Sequence, residues 1–427
     1  MKQTNQLIEE ITTGIYKDIF NDLYMDVNVI NIQPHRYIEA ILKFEKKYGE
    51  GKVAIFSTPG RSEVCGNHTD HQRGKVLAAA VNLDTIAVVS YNNDNKIRLF
   101  SYGYDIIEID IDDNKICEKE KGTSAALIKG TLYKLKSMGN IIGGFNAYIT
   151  SDVMVGAGLS SSAAFEVMIG TIISGLFNEM KISSIDIAKA ARYAENVYFG
   201  KPCGLMDQMA CSVGGMISID FKIQDEPAII SLDTDFCKFN YSLCIIDTKG
   251  SHEDLTNEYS SIPAEMKQVA EIFSKEVLVE VSKKEFYENI SMIRNKLGDR
   301  AVLRGIHFYN EQENVKKAVQ FLREDNIEGF LKTIKESGNS SYKYLQNVYS
   351  NKDILHQNLS VALGISENIL GENGVCRVHG GGFAGTIQAF VKNEFVNEYK
   401  KNIDNIFGKD SCHILKVRKY GGIKVCE

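Results

Sequence analysis

The chain has 427 residues and a formal net charge of −6, with 44% hydrophobic and 24% charged residues. This composition is that of a globular protein with two or three domains, and the absence of a long basic run argues against a nucleic-acid-binding surface. The nine cysteines form no C-x-x-C pair, and no stretch reaches eighteen uninterrupted apolar residues. The sequence therefore predicts reduced thiols, no zinc site, no membrane partner, no secretory signal in the acidic N-terminus and a cytoplasmic location.

Apolar periodicity predicts both helices and strands in the first half of the chain. Helices are predicted at residues 4–25, 35–48, 125–138 and 185–198, the last with Ser184 as its N-cap. Strands are predicted at residues 53–56, 76–90, 96–100, 106–111, 144–150, 216–220, 228–232 and 241–247, with a turn at Pro59-Gly60.

The second half is predicted to open with a polar stretch at residues 257–263 and to be mostly helical after it. Helices are predicted at residues 264–273, 284–296, 314–324, 327–349 and 394–407, with a strand–turn–strand at 375–391 and a strand at 411–417. Helices and strands mix without strict βαβ alternation, so we expect an α+β fold.

Residues 156–164 read GAGLSSSAA and precede an apolar helical stretch. Glycines permit a tight turn, and serines at the start of a helix can cap its free N–H groups. Free N–H groups and partial positive charge at a helix N-terminus suit a polyphosphate. The alternative is a capped strand-to-helix turn that binds nothing.

Polar and ionisable groups are dense in residues 58–72, TPGRSEVCGNHTDHQ. Carboxylate, amide and imidazole groups can each pair with sugar hydroxyls in a defined direction, so this segment suits a polyhydroxylated ligand. The alternative is a polar loop with a local Arg61–Asp70 pair.

Two further segments carry unusual chemistry. Asp207 stands in CGLMDQ among apolar neighbours, where a carboxylate needs a partner such as arginine unless it only caps a helix. Residues 378–386, VHGGGFAGT, match G-x-G-x-x-G, but too little chain follows for a dinucleotide-binding unit. A glycine turn against a phosphate or sugar, or a ligand-free hairpin turn, fits better.

In this order, the four segments resemble those of the GHMP kinases and, among these, of the galactokinase family. Residues 61–72 resemble the signature G-R-x-N-x-I-G-E-H-T-D-Y, residues 156–164 the ATP-phosphate loop, residues 204–208 the segment G-I-M-D-Q and residues 380–385 the C-terminal glycine motif. The resemblance spans residue 53 to the C-terminus. It implies a two-lobed α+β fold, with a ribosomal-protein-like domain at residues 1–225, a ferredoxin-like domain at 226–427 and ATP between them. No Walker A pattern is present, which excludes a P-loop kinase.

The resemblance also implies roles for individual residues. Asp207 matches the catalytic aspartate that accepts the proton of the anomeric hydroxyl, and Arg61 matches the arginine that keeps it ionised. The main chain around Gly156, Ala157, Gly158, Leu159, Ser160, Ser161 and Ser162 would hold the ATP phosphates. Ser162 and Glu195 match the ligands of Mg²⁺, a cation that prefers oxygen donors. Residues that match sugar ligands are Asn67, His68, Asp70 and Tyr259.

The signature departs from the family pattern at several polar positions. Glu63 replaces Asn, Asn67 replaces Glu and His71 replaces Tyr. In the family, the Glu at position 67 contacts the hydroxyl on carbon 6 of galactose. An Asn amide carries no charge and can donate, so the site could hold galactose or a sugar with a carboxylate on carbon 6. Galacturonokinases similarly lack that Glu and carry D-H-Q, as residues 70–72 do.

The expected function is that of an ATP-dependent sugar 1-kinase acting on galactose, as a monomer or weak homodimer. A galacturonate 1-kinase is the nearest alternative, since relatives that phosphorylate mevalonate or homoserine lack the N-H-T-D block. A sugar sensor without kinase activity is a more remote one, because Ser162-Ala163-Ala164 and Asp207 are intact.

Overall fold

The structure is a computed structural model, and it describes residues 1–154, 156, 158–223, 226–233, 236–250 and 255–426. Within these residues, the strands are β1 (Lys2–Gln3), β2 (Lys52–Cys65), β3 (Lys75–Tyr91), β4 (Lys96–Phe100), β5 (Ile107–Asp110), β6 (Phe145–Ser151), β7 (Met216–Asp220), β8 (Ala228–Leu232), β9 (Tyr241–Asp247), β10 (Gly374–Val378), β11 (Thr386–Lys392), β12 (Cys412–Leu415) and β13 (Ile423–Cys426).

The helices of the first half are α1 (Thr4–Thr12), α2 (Lys17–Tyr24), α3 (Val27–Ile30), α4 (Gln33–Tyr48), α5 (Ser124–Ser137), α6 (Ser161–Phe177), α7 (Ser184–Tyr193) and α8 (Met206–Val213). Those of the second half are α9 (Thr256–Ile272), α10 (Lys283–Glu288), α11 (Ile290–Leu297), α12 (Asp299–Arg323), α13 (Ile327–Ser340), α14 (Asn358–Leu370) and α15 (Val396–Phe407). Segments Ala194–Phe199 and Ser341–Leu345 are π-helical. No helix in the described part of the chain is long and apolar enough to cross a membrane.

Two sheets organise the molecule. The first has the order β1-β2-β3-β6-β4-β5, with β13 on β2, β7 on β3 and β8 on β7. It is antiparallel except for the β4–β6 pair, and the second sheet, β10-β11-β9-β12, is entirely antiparallel. One hydrophobic cluster contains residues of both sheets, including Phe56, Val89, Ile245 and Phe390. The α+β expectation is therefore confirmed.

The predicted domain boundary at residue 225 lies outside the described residues. Strand β8 follows that residue yet pairs with β7 of the first sheet. Strand β13, near the C-terminus, returns to pair with β2. The first sheet thus takes strands from both sides of residue 225, and the division into residues 1–225 and 226–427 stays a prediction.

The N-terminal helices cover one face of the first sheet. Their buried side chains, including Leu7, Tyr37 and Phe44, pack with Ile55 and Val88 in a cluster of their own. The predicted helix at residues 4–25 is interrupted, since Gly14 adopts a φ of +81° between α1 and α2. Left-handed backbone is accessible to glycine at no steric cost, which explains the break.

Several local predictions are wrong. The turn at Pro59-Gly60 is absent, because β2 runs through it with an irregular register between Pro59 and Arg61, where a proline without an N–H is tolerated. The N-cap of α7 is Ser183, whose hydroxyl accepts from Asp186 N, and not Ser184. The polar stretch 257–263 belongs to α9, whose buried Ile262, Met266 and Val269 hold it against the core.

Two of the long helices predicted from the sequence also differ from the helices in the structure. The predicted helix at 284–296 is two helices, α10 and α11, which meet at Asn289. The predicted helix at 327–349 ends with the π-helical segment at Leu345, because Gln346 adopts a φ of +58° that stops the helix.

Candidate active site

Arg61 and Asp207 form a bidentate ion pair at the centre of the candidate site. Arg61 lies on β2, and Asp207 lies in the first turn of α8. Arg61 Nε donates to Asp207 Oδ1 at 2.7 Å, and Arg61 Nη2 donates to Oδ2 at 2.7 Å. The structure therefore brings together two residues that are far apart in the chain, in the fork geometry that arginine favours with carboxylates.

The pair is buried on the arginine side and reachable on the aspartate side. The side chain of Arg61 is 7% exposed and that of Asp207 is 34% exposed. Burial raises the pKa of Asp207, but the Arg61 guanidinium and hydrogen bonds from Arg61 and Ser160 outweigh it, so the pKa lies below its usual value. Asp207 is therefore a carboxylate at neutral pH and can accept a proton.

The glycine- and serine-rich loop lies directly against this pair. Arg61 Nη1 donates to Gly158 O, and Arg61 N donates to Leu159 O at 3.1 Å. Gly158 has a φ of +67°, and a Cβ there would lie 2.7 Å from Thr386 Oγ1. Glycine is thus required at this point, where the loop passes close to the second sheet. Ala157 lies outside the described residues.

The serines of the loop act differently from the sequence-based expectation. Ser160 precedes α6 with a φ of +56°, and its side chain makes no capping hydrogen bond. It donates to Asp207 Oδ2 instead. The expectation of side-chain capping is wrong for Ser160, because the carboxylate is a stronger acceptor for its hydroxyl. Ser161 and Ser162 occupy the first turn of α6, where main-chain N–H groups are free of intrahelical partners.

Oxygen donors for a cation surround the amide of Gln208. Gln208 Nε2 donates to Glu195 Oε2 at 2.7 Å and to Glu166 Oε2 at 3.2 Å. Glu195 Oε1 pairs with Lys201 Nζ at 3.0 Å. Glu166 Oε1 and Gln208 Oε1 are buried without a hydrogen-bond partner. Buried, unpaired oxygens of this kind fit a hard cation such as Mg²⁺.

Glu166 and Gln208 were not among the residues selected from the sequence. The signal was present, since Glu166 is an acidic residue within the apolar stretch that forms α6 and lies one helical turn after Ser162. Burial and the nearby Glu195 raise the pKa of Glu166 well above its usual value. In the described part of the chain, no group of three His, Cys, Asp or Glu residues is arranged to hold a metal ion.

The residues expected to bind the sugar gather around the glycine motif at 380–385. His68 Nε2 bonds to Gly381 O at 3.0 Å, and Tyr259 Oη donates to Gly382 O at 2.8 Å. Burial and the neighbouring His71 lower the pKa of His68 to about 4, so its imidazole is neutral and Nε2 is the donor.

Asp70 connects the sugar signature to the segment that carries Asp207. A Cβ on Gly204 would lie 1.7 Å from Asp70 Oδ2. Only glycine allows this approach. Asn67, in contrast, is fully buried, and its side chain bonds to protein groups. Its expected contact with the sugar stays a prediction.

His379 lies in the glycine-rich segment at 378–386, but the sequence does not identify it as a site residue. Glu63 N donates to His379 Nε2 at 3.3 Å, and His379 Nδ1 bonds to Thr386 Oγ1 at 3.0 Å. Burial and the nearby Arg61 and Arg377 hold the pKa of His379 well below its usual value. A neutral His379 that accepts at Nε2 and donates at Nδ1 therefore joins β2 to the second sheet beside Gly158.

Two family models match the segments just described. The GHMP kinases N terminal domain matches residues 126–215, which include the glycine- and serine-rich loop and Asp207. The galactokinase galactose-binding signature matches residues 42–91, which include Arg61, Asn67 and Asp70.

Sequence and structure comparisons agree with these matches. Galactokinase from Clostridium tetani is 30% identical over 378 residues, which are 86% of this chain and 91% of the relative. Galactokinase from Lactobacillus helveticus is 29% identical and covers 86% of this chain and 93% of its own.

Among solved structures, Lactococcus lactis galactokinase complexed with galactose aligns with a TM-score of 0.78 at 22% identity, covering 90% of this chain and 98% of its own. Methanococcus jannaschii mevalonate kinase aligns with a TM-score of 0.58 at 17% identity, covering 86% of this chain and 99% of its own. The resemblance inferred from the motifs is thereby confirmed, and the chain belongs to the galactokinase family of the GHMP kinases.

Proposed function

We propose that this protein is an ATP-dependent sugar 1-kinase that phosphorylates the anomeric hydroxyl of D-galactose, giving galactose 1-phosphate and ADP. The observation that carries the proposal is the Asp207–Arg61 pair, which is ionised, reachable from one side and bonded to the phosphate loop through Gly158 O and Ser160. Phosphoryl transfer depends mainly on positioning and on charge stabilisation, and this arrangement can supply both.

In the proposed reaction, Asp207 accepts the proton of the anomeric hydroxyl as that oxygen attacks the γ-phosphorus of ATP. The bond from the γ-phosphorus to the bridging oxygen of ADP then breaks. Arg61 keeps Asp207 ionised and offsets negative charge at the transferred group. The N–H groups of the loop at residues 156–162 and the N-terminus of α6 hold the phosphates.

The proposed cofactors are ATP and Mg²⁺. Ser162 and Glu195 would hold the cation, and the Gln208 amide, which donates to Glu195 and Glu166, would position the Glu195 carboxylate. When bound, Mg²⁺ would neutralise part of the phosphate charge. Lys201 balances the charge of Glu195 through their ion pair and keeps this carboxylate in place.

For the sugar, we propose His68, Asp70 and Tyr259 as ligands, because all three adjoin the glycine motif or the segment of Asp207. A sugar-acid kinase acting on galacturonate is the second candidate, since Asn67 brings no negative charge where the family pattern has Glu. We also expect a cytoplasmic enzyme, monomeric or weakly dimeric, without a nucleic-acid or membrane partner.

A panel of sugars with ATP and Mg²⁺, read by ADP release, tests the proposal. Galactose should give the highest kcat/KM, and Asp207→Asn should remove the signal under the same conditions. A preference for galacturonate would establish the second candidate. ADP release that no sugar stimulates would contradict both.

A further inference from the structure

Glu63 and Asn67, the two positions of the signature where this chain exchanges a carboxylate and an amide with the family pattern, are bonded to each other. Asn67 Nδ2 donates to Glu63 Oε1 at 2.9 Å and to Glu63 Oε2 at 3.2 Å. The family pattern has Asn at position 63 and Glu at position 67. This chain therefore keeps one carboxylate and one amide at the two positions, with their places exchanged.

The carboxylate of the pair is held inside the protein. Glu63 is 3% exposed, and Arg377 Nη2 lies 3.3 Å from its Oε1. Burial raises the pKa of Glu63 to about 7, although Arg377 and Arg61 lower it. A buried carboxylate needs hydrogen-bond donors, and Arg377 and Asn67 provide them.

The amide of the pair joins three parts of the molecule. Asn67 Nδ2 also donates to Gly380 O at 2.7 Å, and Asn67 Oδ1 accepts from Asn347 Nδ2 at 2.7 Å. The main-chain oxygen of Asn67 accepts from His307 Nε2 at 2.8 Å. Position 67 thus requires donors toward Glu63 and Gly380 and an acceptor toward Asn347. An uncharged amide supplies all of them, whereas a carboxylate supplies no donor.

His68 follows directly, with a φ of +57°, and bonds to Gly381 O. The consecutive residues Asn67 and His68 therefore both bond to main-chain oxygens of the glycine motif at 380–385. We propose that Glu63 and Asn67 form one positioning pair, which holds His68 and Asp70 in place for the sugar while its own polar groups face the protein. This inference rests on the proposed function, because its readout is the KM for the sugar.

A double-mutant cycle tests the pair. Asn67→Asp is isosteric but places a second carboxylate against Glu63 and removes the donor to Gly380 O. Glu63→Gln removes the carboxylate of the pair, so Arg377 loses the charged partner that Glu63 provides. Glu63→Gln/Asn67→Asp restores one carboxylate and one amide in exchanged positions. KM for the sugar, KM for ATP, kcat and the melting temperature are measured for all four proteins.

We expect the double variant to recover part of the sugar binding that Asn67→Asp loses. Asn67→Asp should raise KM for the sugar by about tenfold, because buried polar groups lose their partners, while KM for ATP stays within about twofold. The double variant should have a sugar KM closer to wild type than Asn67→Asp, since groups in direct contact are not additive.

Asn82→Asp is the matched control. Asn82 is also buried, and its Nδ2 donates to Tyr24 O at 3.0 Å, away from the sugar signature. This variant should lose thermal stability and keep the sugar KM.

Additive losses in the double variant would overturn the proposal, as would an equal rise of both KM values in Asn67→Asp. If Asn67→Asp does not fold, folding and a near-normal sugar KM in the double variant support the pair. Failure of the double variant to fold while Asn82→Asp folds contradicts it. A wild-type protein without sugar kinase activity would contradict the proposed function instead, so the two failures are distinguishable.

Discussion

Among the described residues, two clusters pair an aspartate with a buried arginine, one around Asp84 and one around Asp207. Asp84 is fully buried. Its Oδ1 lies 2.6 Å from Arg36 Nη1, and its Oδ2 lies 3.1 Å from Arg418 Nη1. It also accepts hydrogen bonds from Tyr24 and Ser57. Asp207 has one arginine, and its side chain is 34% exposed.

In both clusters arginine lowers the pKa of the aspartate, but the two aspartates differ in their exposure to solvent. In each case burial raises the pKa and arginine outweighs it. Asp84 joins α4, β3 and the segment before β13, so its donors hold the N-terminal helices and the C-terminal strand on the first sheet. Asp207 keeps a reachable side for a reactant. We therefore propose that an aspartate–arginine pair stabilises the fold where it is closed to solvent and takes part in the reaction where it is open.

The largest expected effect comes from breaking the closed cluster. Asp84→Asn would leave Arg36 and Arg418 without their carboxylate in the protein interior. Breaking a buried ion pair by removing one partner costs about 3–5 kcal/mol of unfolding free energy. Urea denaturation measures this loss, and kcat per folded molecule should be unchanged. If Asp84→Asn were as stable as the wild type, the Asp84 cluster would not have the architectural role inferred for it.

The reactive cluster should respond in the opposite way. Asp207→Asn keeps the size of the side chain but removes the proton acceptor, so turnover should fall by about 10²-fold or more. The urea midpoint should fall less than in Asp84→Asn, because Asp207 is partly exposed and holds one arginine rather than two, and ATP binding should remain near wild type. ADP release gives the rate, and near-normal turnover would mean that the proton leaves by another route.

A smaller effect is expected at the oxygen donors beside the reactive cluster. Ser162→Ala and Glu195→Gln each remove one proposed ligand, and the Mg²⁺ concentration for half-maximal rate should rise by about tenfold. Glu108→Gln on strand β5 is the control, since Glu108 pairs with Lys96 and Arg98 at the surface. An unchanged Mg²⁺ dependence in both variants would place the cation elsewhere.

The two clusters also show what the sequence could predict. The sequence predicts the pairing of Arg61 with Asp207, because the resemblance of their two motifs to those of the family implies neighbouring roles. Asp84 lies in a strand-forming stretch without a motif, and its partners come from distant parts of the chain. Strands β7, β8 and β9 match their predicted bounds, whereas the helix predicted at 264–273 begins earlier. The polar stretch at 257–263 joins α9 because packing of Ile262 and Met266 outweighs local polarity. The bond between Glu63 and Asn67 required coordinates, since two departures in a sequence do not show that they touch.

The last and smallest expected effect concerns pH. Arg61 holds the pKa of Asp207 below its ordinary value, so Asp207 remains a proton acceptor well into the acid range. Arg61→Lys keeps the charge but loses the bidentate geometry. The pKa of Asp207 should therefore rise, and the acid limb of the kcat profile should move to higher pH.

The same substitution in the closed cluster provides the control. A lowered folded-state pKa stabilises the protein above the unfolded pKa, and this stability is lost as the pH falls through the folded value. Arg36→Lys should weaken the hold on Asp84, so the acid midpoint of unfolding should rise while the kcat profile stays in place. Turnover against pH and acid unfolding followed by circular dichroism separate the two responses. If both variants moved only the unfolding midpoint, the Asp207 cluster would be architectural, and the contrast between the open and the closed ion pair would fail.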